Sequence, residues 1–131
     1  MLDQAAILAT LELVADRHGD PTDMIYAELF VRRPDLKQLF WLDRDGSVRA
    51  AMAQQALECI LDLTDEGRSA AIIIADERSR HDGYGVPPDQ FDDFFAAIRD
   101  ACRRILGTDW SDAMDRAWGG LLARIAAIRS V

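Results

Sequence analysis

Ser69-Ala-Ala-Ile-Ile-Ile-Ala-Asp-Glu-Arg-Ser-Arg-His81-Asp-Gly83 is the stretch on which the fold class turns. Its three consecutive isoleucines are β-branched and would suit a strand. The flanks favour helix instead, and a lone strand would leave its backbone groups without a partner. Read as a helix over 69–80, the stretch offers Ala71, Ile72, Ile74 and Ala75 to a core. The turn-rich run His81-Asp-Gly-Tyr-Gly-Val-Pro-Pro88 then breaks it.

Downstream, a long helix is expected from Pro88 or Asp89. Its stripe is Phe91, Phe94, Phe95, Ile98, Cys102 and Ile105, and Gly107 stops it. A last helix is expected from Thr108 or Asp109, with Trp110, Met114, Ala117, Trp118, Leu121, Leu122, Ile125 and Ile128 inward. Upstream, residues 2–17 place Ala6, Leu8, Leu11, Val14 and Ala15 on one stripe, and His18-Gly-Asp-Pro21 ends that helix. Asp20 is expected to cap a second helix, running to about Arg33, that offers Ile25, Tyr26, Leu29 and Phe30. Pro34 interrupts it, because a proline disfavours helix in the residue before it. A short helical turn to Phe40 and a loop over Trp41–Gly46 follow. From Ser47, the expected cap, the stripe is Val48, Met52, Ala56, Cys59, Ile60 and Leu63, ending before Gly67. No run reads as a convincing strand. The expectation is an all-α fold of six or seven helices in one domain, residues 1–131.

The balance of residues narrows the function. Half of the 131 residues are apolar and 29% are charged, which is globular composition. A formal net charge of −8 supplies no positive field to attract nucleic acid. No apolar run approaches the roughly 18–20 residues that cross a bilayer. The amino terminus lacks a basic start and a small-residue cleavage site, so no signal peptide is expected. Cys59 and Cys102 fall inside apolar helical patterns and read as buried thiols in a reducing cytoplasm.

Side chains able to do chemistry are few. Of the two histidines, His18 stands beside a Gly-Asp-Pro turn and reads as exposed or capping. His81 closes an apolar helix. By spacing alone it suits the helix dipole first, or a ligand bond second. Two histidines without a cysteine cluster argue against structural zinc. The paired Glu-x-x-His motifs of di-iron bundles are missing, as are Gly-x-Ser-x-Gly and a glycine-rich phosphate loop. Glu77 lies one turn before His81, spaced for a side-chain pair. The adjacent Asp92 and Asp93 read as solvated charge. What is left suits an apolar ligand held between helices, with one axial bond from the protein.

Four features in order resemble the globin family, most closely bacterial single-domain globins and the haem domain of flavohaemoglobins. MIYAELFVRRPDLKQLF at 24–40 resembles the family's second helix running into its third, with the Pro34-to-Phe40 spacing. His81 stands at the distance of the proximal ligand. His81 to Phe91 resembles the junction that follows it. Leu106-Gly-Thr-Asp-Trp110, followed by Ala117-Trp118, is similar to the entry to the last helices.

The resemblance implies a globin fold around haem b (iron protoporphyrin IX), with His81 on the iron and Phe40 packed on the haem face. It implies Tyr26 as the distal hydrogen-bond donor to a gas ligand. Val48 falls where many globins carry a distal histidine or glutamine, and Met52 one turn later. A one-residue shift would bring Arg49 to the pocket mouth instead, and a later helix start would make Gln55 a second donor. Phe91 replaces a tyrosine of the flavohaemoglobins, and Val86 and Phe94 join the expected haem contacts. No counterpart of that group's proximal glutamate is evident. One or two of Arg44, Arg49, Arg78 and Arg80 are expected at the haem propionates. The implied function is reversible binding of O2, NO or CO. With no flavin or nicotinamide part in the match, NO detoxification is expected only with a reductase in trans. The alternatives are a gas or redox sensor acting through a partner, and a haem-free interaction module whose pocket is filled by Met52, Phe94 and Trp41. Neither nucleic acid nor membrane is expected as a partner, and a monomer or homodimer fits equally.

Overall fold

The isoleucine-rich stretch folds as helix, and no described residue lies in a strand. The structure, a computed structural model, describes residues 3–129. Six α-helices follow in order: α1 (Gln4–His18), α2 (Thr22–Arg32), α3 (Ser47–Leu63), α4 (Arg68–Gly83), α5 (Pro88–Leu106) and α6 (Asp112–Ala127). Two 3-10 turns, Pro34–Phe40 and Gly107–Asp109, join them. The all-α expectation holds. Within α4 the three isoleucines diverge: Ile74 is buried, Ile73 half-buried and Ile72 exposed. The helix is secured at its start, where the Asp62 carboxylate accepts the Ala70 backbone N–H at 2.8 Å.

Helix α5 is the centre of the bundle and packs on α1, α2, α4 and α6. It buries Phe95, Ala97, Ile98, Ala101, Cys102 and Leu106, so small residues let its neighbours approach while large ones fill the gaps. Along the α2–α5 seam Arg32 pairs with Asp100 at 2.8 Å and Arg33 with Asp93 at 2.6 Å. These pairs flank an apolar contact and fix register more than stability, because solvent reaches them. Both cysteines are buried free thiols. No helix among the described residues is long and apolar enough to cross a membrane.

Several local expectations are corrected. Helix α1 turns Ile7, Thr10 and Val14 inward and leaves Leu8 and Ala15 exposed. A threonine replaces the expected apolar residue because its polar group is satisfied. Thr10 Oγ1 donates to Ala6 O at 2.7 Å and accepts the buried Trp118 Nε1–H at 3.1 Å. The expected start at residue 2 lies outside the described residues. Ser47 is not the cap of α3. Asp43, four residues before Ser47, accepts the backbone N–H groups of Val48 at 3.0 Å and Arg49 at 2.9 Å. Gly46 reaches the φ of +76° that this loop requires. Thr108 and Asp109 belong to a 3-10 turn, and Ser111 caps α6 through the Met114 N–H at 3.1 Å. Asp92 and Asp93 are ion-paired rather than solvated, with Arg78 and Arg33 respectively.

Candidate functional site

A cavity of about 570 Å³ opens between α3, α4, the start of α5 and the Pro34–Phe40 turn. That volume lies within the range of about 300–1,000 Å³ common for cofactor and ligand pockets. Its wall is mostly apolar. Met52, Ala56 and Cys59 recur on α3 at the spacing of one helical face, and Ile73 and Ile74 stand across on α4. Leu29, Leu36, Leu39, Phe40, Leu42, Val48, Val86, Phe91, Phe94 and Phe95 complete the apolar surface. The polar exceptions are Asp43, Asp45, Ser47, Gln55, Glu77, His81, Tyr84 and Gln90.

His81 is held in a defined state. It sits in the last turn of α4, and its Nδ1 is 2.8 Å from the Glu77 backbone carbonyl. A carbonyl only accepts, so Nδ1 carries the proton and donates it. In the Nδ1–H tautomer the ring lone pair is on Nε2, the atom a metal would bind. The Glu77 carboxylate lies 3.6 Å from the same Nδ1, and Arg80 pairs with that carboxylate at 3.0 Å. Phe91 packs against the imidazole with ring centroids 5.4 Å apart, and Tyr84 at 6.2 Å. The His81 carbonyl accepts the Val86 N–H at 2.8 Å, which ties the turn after α4 back to the histidine.

The structure brings Phe40, Val48, Met52, His81, Val86, Phe91 and Phe94 around one cavity. Val48 stands at the rim, 53% exposed. Two residues expected there lie elsewhere. Tyr26 is buried behind the wall among Phe30, Phe40 and Phe94, at centroid distances of 5.8, 5.5 and 5.6 Å. Its hydroxyl donates to the Arg49 carbonyl at 2.9 Å. Burial raises its pKa, so the phenol stays protonated. Arg49 turns away from the cavity and binds Asp43, Nε to Oδ2 at 3.0 Å and Nη2 to the backbone oxygen at 2.9 Å. Desolvation opposes ionisation of Asp43. Backbone N–H bonds from Arg49 and Val48 and the Arg49 guanidinium outweigh it and hold the carboxyl below its ordinary range.

Of the arginines expected to frame the pocket, Arg49 faces Asp43, Arg78 is buried among backbone carbonyls, and Arg80 pairs with Glu77. Arg44 lies on the exposed loop between the lining residues Asp43 and Asp45. Cys59 and Glu77 on the wall were missed. The spacing of Met52, Ala56 and Cys59 was a usable signal, but core and cavity faces share that period. For Glu77 the usable signal was its one-turn spacing from His81, whose Nδ1 its carboxylate approaches at 3.6 Å.

The Globin family model matches residues 23–128. The chain belongs to the globin family. The matched span starts in α2, reaches just beyond α6 and contains every residue that lines the cavity. No curated protein and no solved structure gives a significant match. Globins bind haem and, through it, gaseous ligands such as O2. The residues of this globin fit such a group: an apolar slot of adequate volume, one lining imidazole whose Nδ1 is engaged by Glu77 O, and aromatic rings that line the same slot. Nor is the slot filled from within, because Trp41 stands outside, 72% exposed, while Met52 and Phe94 only line it.

Proposed function

We propose that this cavity holds haem b, that His81 would bind its iron, and that the protein binds O2, NO and CO reversibly. The observation that carries the reading is His81 on the wall of an apolar cavity with its Nδ1 proton committed to Glu77 O. When bound, haem supplies an iron that coordinates diatomic gases. The chain supplies the rest. His81 offers Nε2 and is kept in one tautomer by the Glu77 carbonyl. Phe40, Phe91 and Phe94 exclude water and pack on a flat apolar ring. Met52 and Val48 keep the opposite wall apolar. Gln55, one turn along α3 from Met52, brings an amide to that wall and takes over the donor role expected of Tyr26. Arg44, on the loop between Asp43 and Asp45, would hold the propionates.

Within the family, the order of the sequence motifs supports the bacterial single-domain type. Residues 1–131 then act as one globin domain, as a monomer or homodimer in the cytoplasm. With electrons from a separate reductase, the same site would extend to NO detoxification. The test is an absorption spectrum of the purified chain after haemin addition, oxidised, reduced with dithionite, and then under CO. A Soret band that shifts sharply under CO is expected. No Soret band after haemin addition rejects the reading.

A further inference from the structure

Arg78 is a buried cation that the proposed gas chemistry does not use. It is 3% exposed and lies on α4, three residues before His81. Its guanidinium binds three backbone carbonyls from other segments. Nε donates to Ile128 O at 2.9 Å, Nη2 to Ile125 O at 2.8 Å and Nη1 to Pro88 O at 3.2 Å. Nη1 also stands 2.7 Å from Asp92 Oδ1, a charge contact rather than an aligned hydrogen bond. The guanidinium carbon lies 4.9 Å from the centre of the Phe91 ring. Phe91 in turn meets the His81 imidazole, 5.4 Å between centroids at 61°. One planar group therefore gathers the end of α6, the start of α5 and the ring beside His81. Lysine cannot replace it, because an ammonium lacks the fork that reaches several acceptors and the plane that covers a ring.

We infer that Arg78 is a positioning residue for His81: it fixes Phe91, and Phe91 fixes the imidazole. Only the haem readout below rests on the proposed axial role of His81.

The test uses the full chain, three single variants, the Arg78→Lys/Phe91→Leu double variant and a His18→Gln variant for assignment. Arg78→Lys keeps the charge beside Asp92 and loses the fork. Phe91→Leu removes the ring and leaves the carbonyl bonds of Arg78 in place. Arg124→Lys is the control, because Arg124 also ties α6 to another helix through a backbone carbonyl, Leu63 O at 3.0 Å at the end of α3. The first readout is the imidazole nitrogen–proton spectrum without haem. His18 and His81 are the only histidines, so a His18→Gln variant assigns the signals. One Nδ1–H tautomer is expected in the parent. Shifted, broadened His81 signals are expected in Arg78→Lys and Phe91→Leu, and unchanged ones in Arg124→Lys. The second readout is haemin loss, expected to be faster by about tenfold in Arg78→Lys, the usual scale for a lost supporting contact. Adding Arg78→Lys to Phe91→Leu should change neither readout further. The inference is overturned if Arg78→Lys resembles Arg124→Lys in both readouts, or if its full effect persists without Phe91. Should Arg78→Lys fail to fold, Phe91→Leu decides alone: sharp, unshifted His81 signals overturn the inference. Should the parent take up no haemin, the functional reading fails while the imidazole spectrum still decides this one.

Discussion

Replacing Tyr26 with phenylalanine isolates a single interaction. The ring stays within its aromatic cluster, and only the hydroxyl that donates to Arg49 O at 2.9 Å is lost. A net hydrogen bond of this kind contributes about 0.5–1.5 kcal/mol. For a domain of this size that is a fall in Tm of roughly 2–6 °C. Urea denaturation reads the stability, and stopped-flow release of O2 reads the ligand. Since the hydroxyl is committed to a carbonyl behind the wall, O2 release should change by less than about threefold. A donor to the gas ligand worth ~1.4 kcal/mol would instead change it about tenfold when removed. The alkaline limb gives a second check. Burial raises the Tyr26 pKa above its ordinary 10.0, so the folded chain keeps a proton that the unfolded chain loses. That contribution is complete below pH 10 and is lost as pH rises toward the raised value. Burial also pushes the Cys102 thiol up from 9.0 to about 12, which acts in the same direction. The Tyr26→Phe protein should therefore lose less stability above pH 10 than the parent. Unchanged stability together with tenfold faster O2 release would refute the reasoning and return Tyr26 to the gas ligand.

Asp43→Ala should lower Tm and speed amide exchange at Val48 and Arg49, whose N–H groups the carboxylate accepts. Because its pKa lies below 3.8 in the fold, its contribution is present above that value and lost as pH falls through the depressed one, so the variant's acid limb should be flatter. Gly67→Ala should cost about 1–2 kcal/mol in denaturant, since φ is +75° and a new Cβ would meet Arg124 Nη2 at 2.7 Å and Leu63 Cδ2 at 3.1 Å. Thr10→Val should cost about 1–3 kcal/mol by leaving the Trp118 indole N–H buried without its acceptor, with a matching change in tryptophan fluorescence.

The helices were legible because burial follows the 3.6-residue period along α3, α5 and α6, and because Pro34, Gly67 and Gly107 punctuate them. The isoleucine run was readable as helix only through its surroundings, since β-branching by itself points the other way. Detail failed where a polar side chain acted at a distance. Asp43 caps α3 from four residues before its start, Thr10 enters the core because Trp118 waits for it, and Arg78 is buried where three carbonyls converge. Periodicity holds no signal for partners supplied by other elements. The residues around His81 were named from family resemblance, which also expected the Tyr26 hydroxyl to point at a gas ligand; that hydroxyl meets a backbone carbonyl instead. A tyrosine that points into the cavity and one that stops behind it have the same sequence spacing. Only the Arg49 carbonyl, 23 residues away, separates them.

The most direct test of the account is haemin binding by His81→Gly, with and without added imidazole. The parent is expected to give a Soret band and a CO-sensitive reduced spectrum. The glycine variant should lose haemin readily, and imidazole, entering the space of the missing ring, should restore both retention and spectrum. A glycine variant that holds haemin with the parent's spectrum in the absence of imidazole would contradict His81 as the ligand, and with it the central claim.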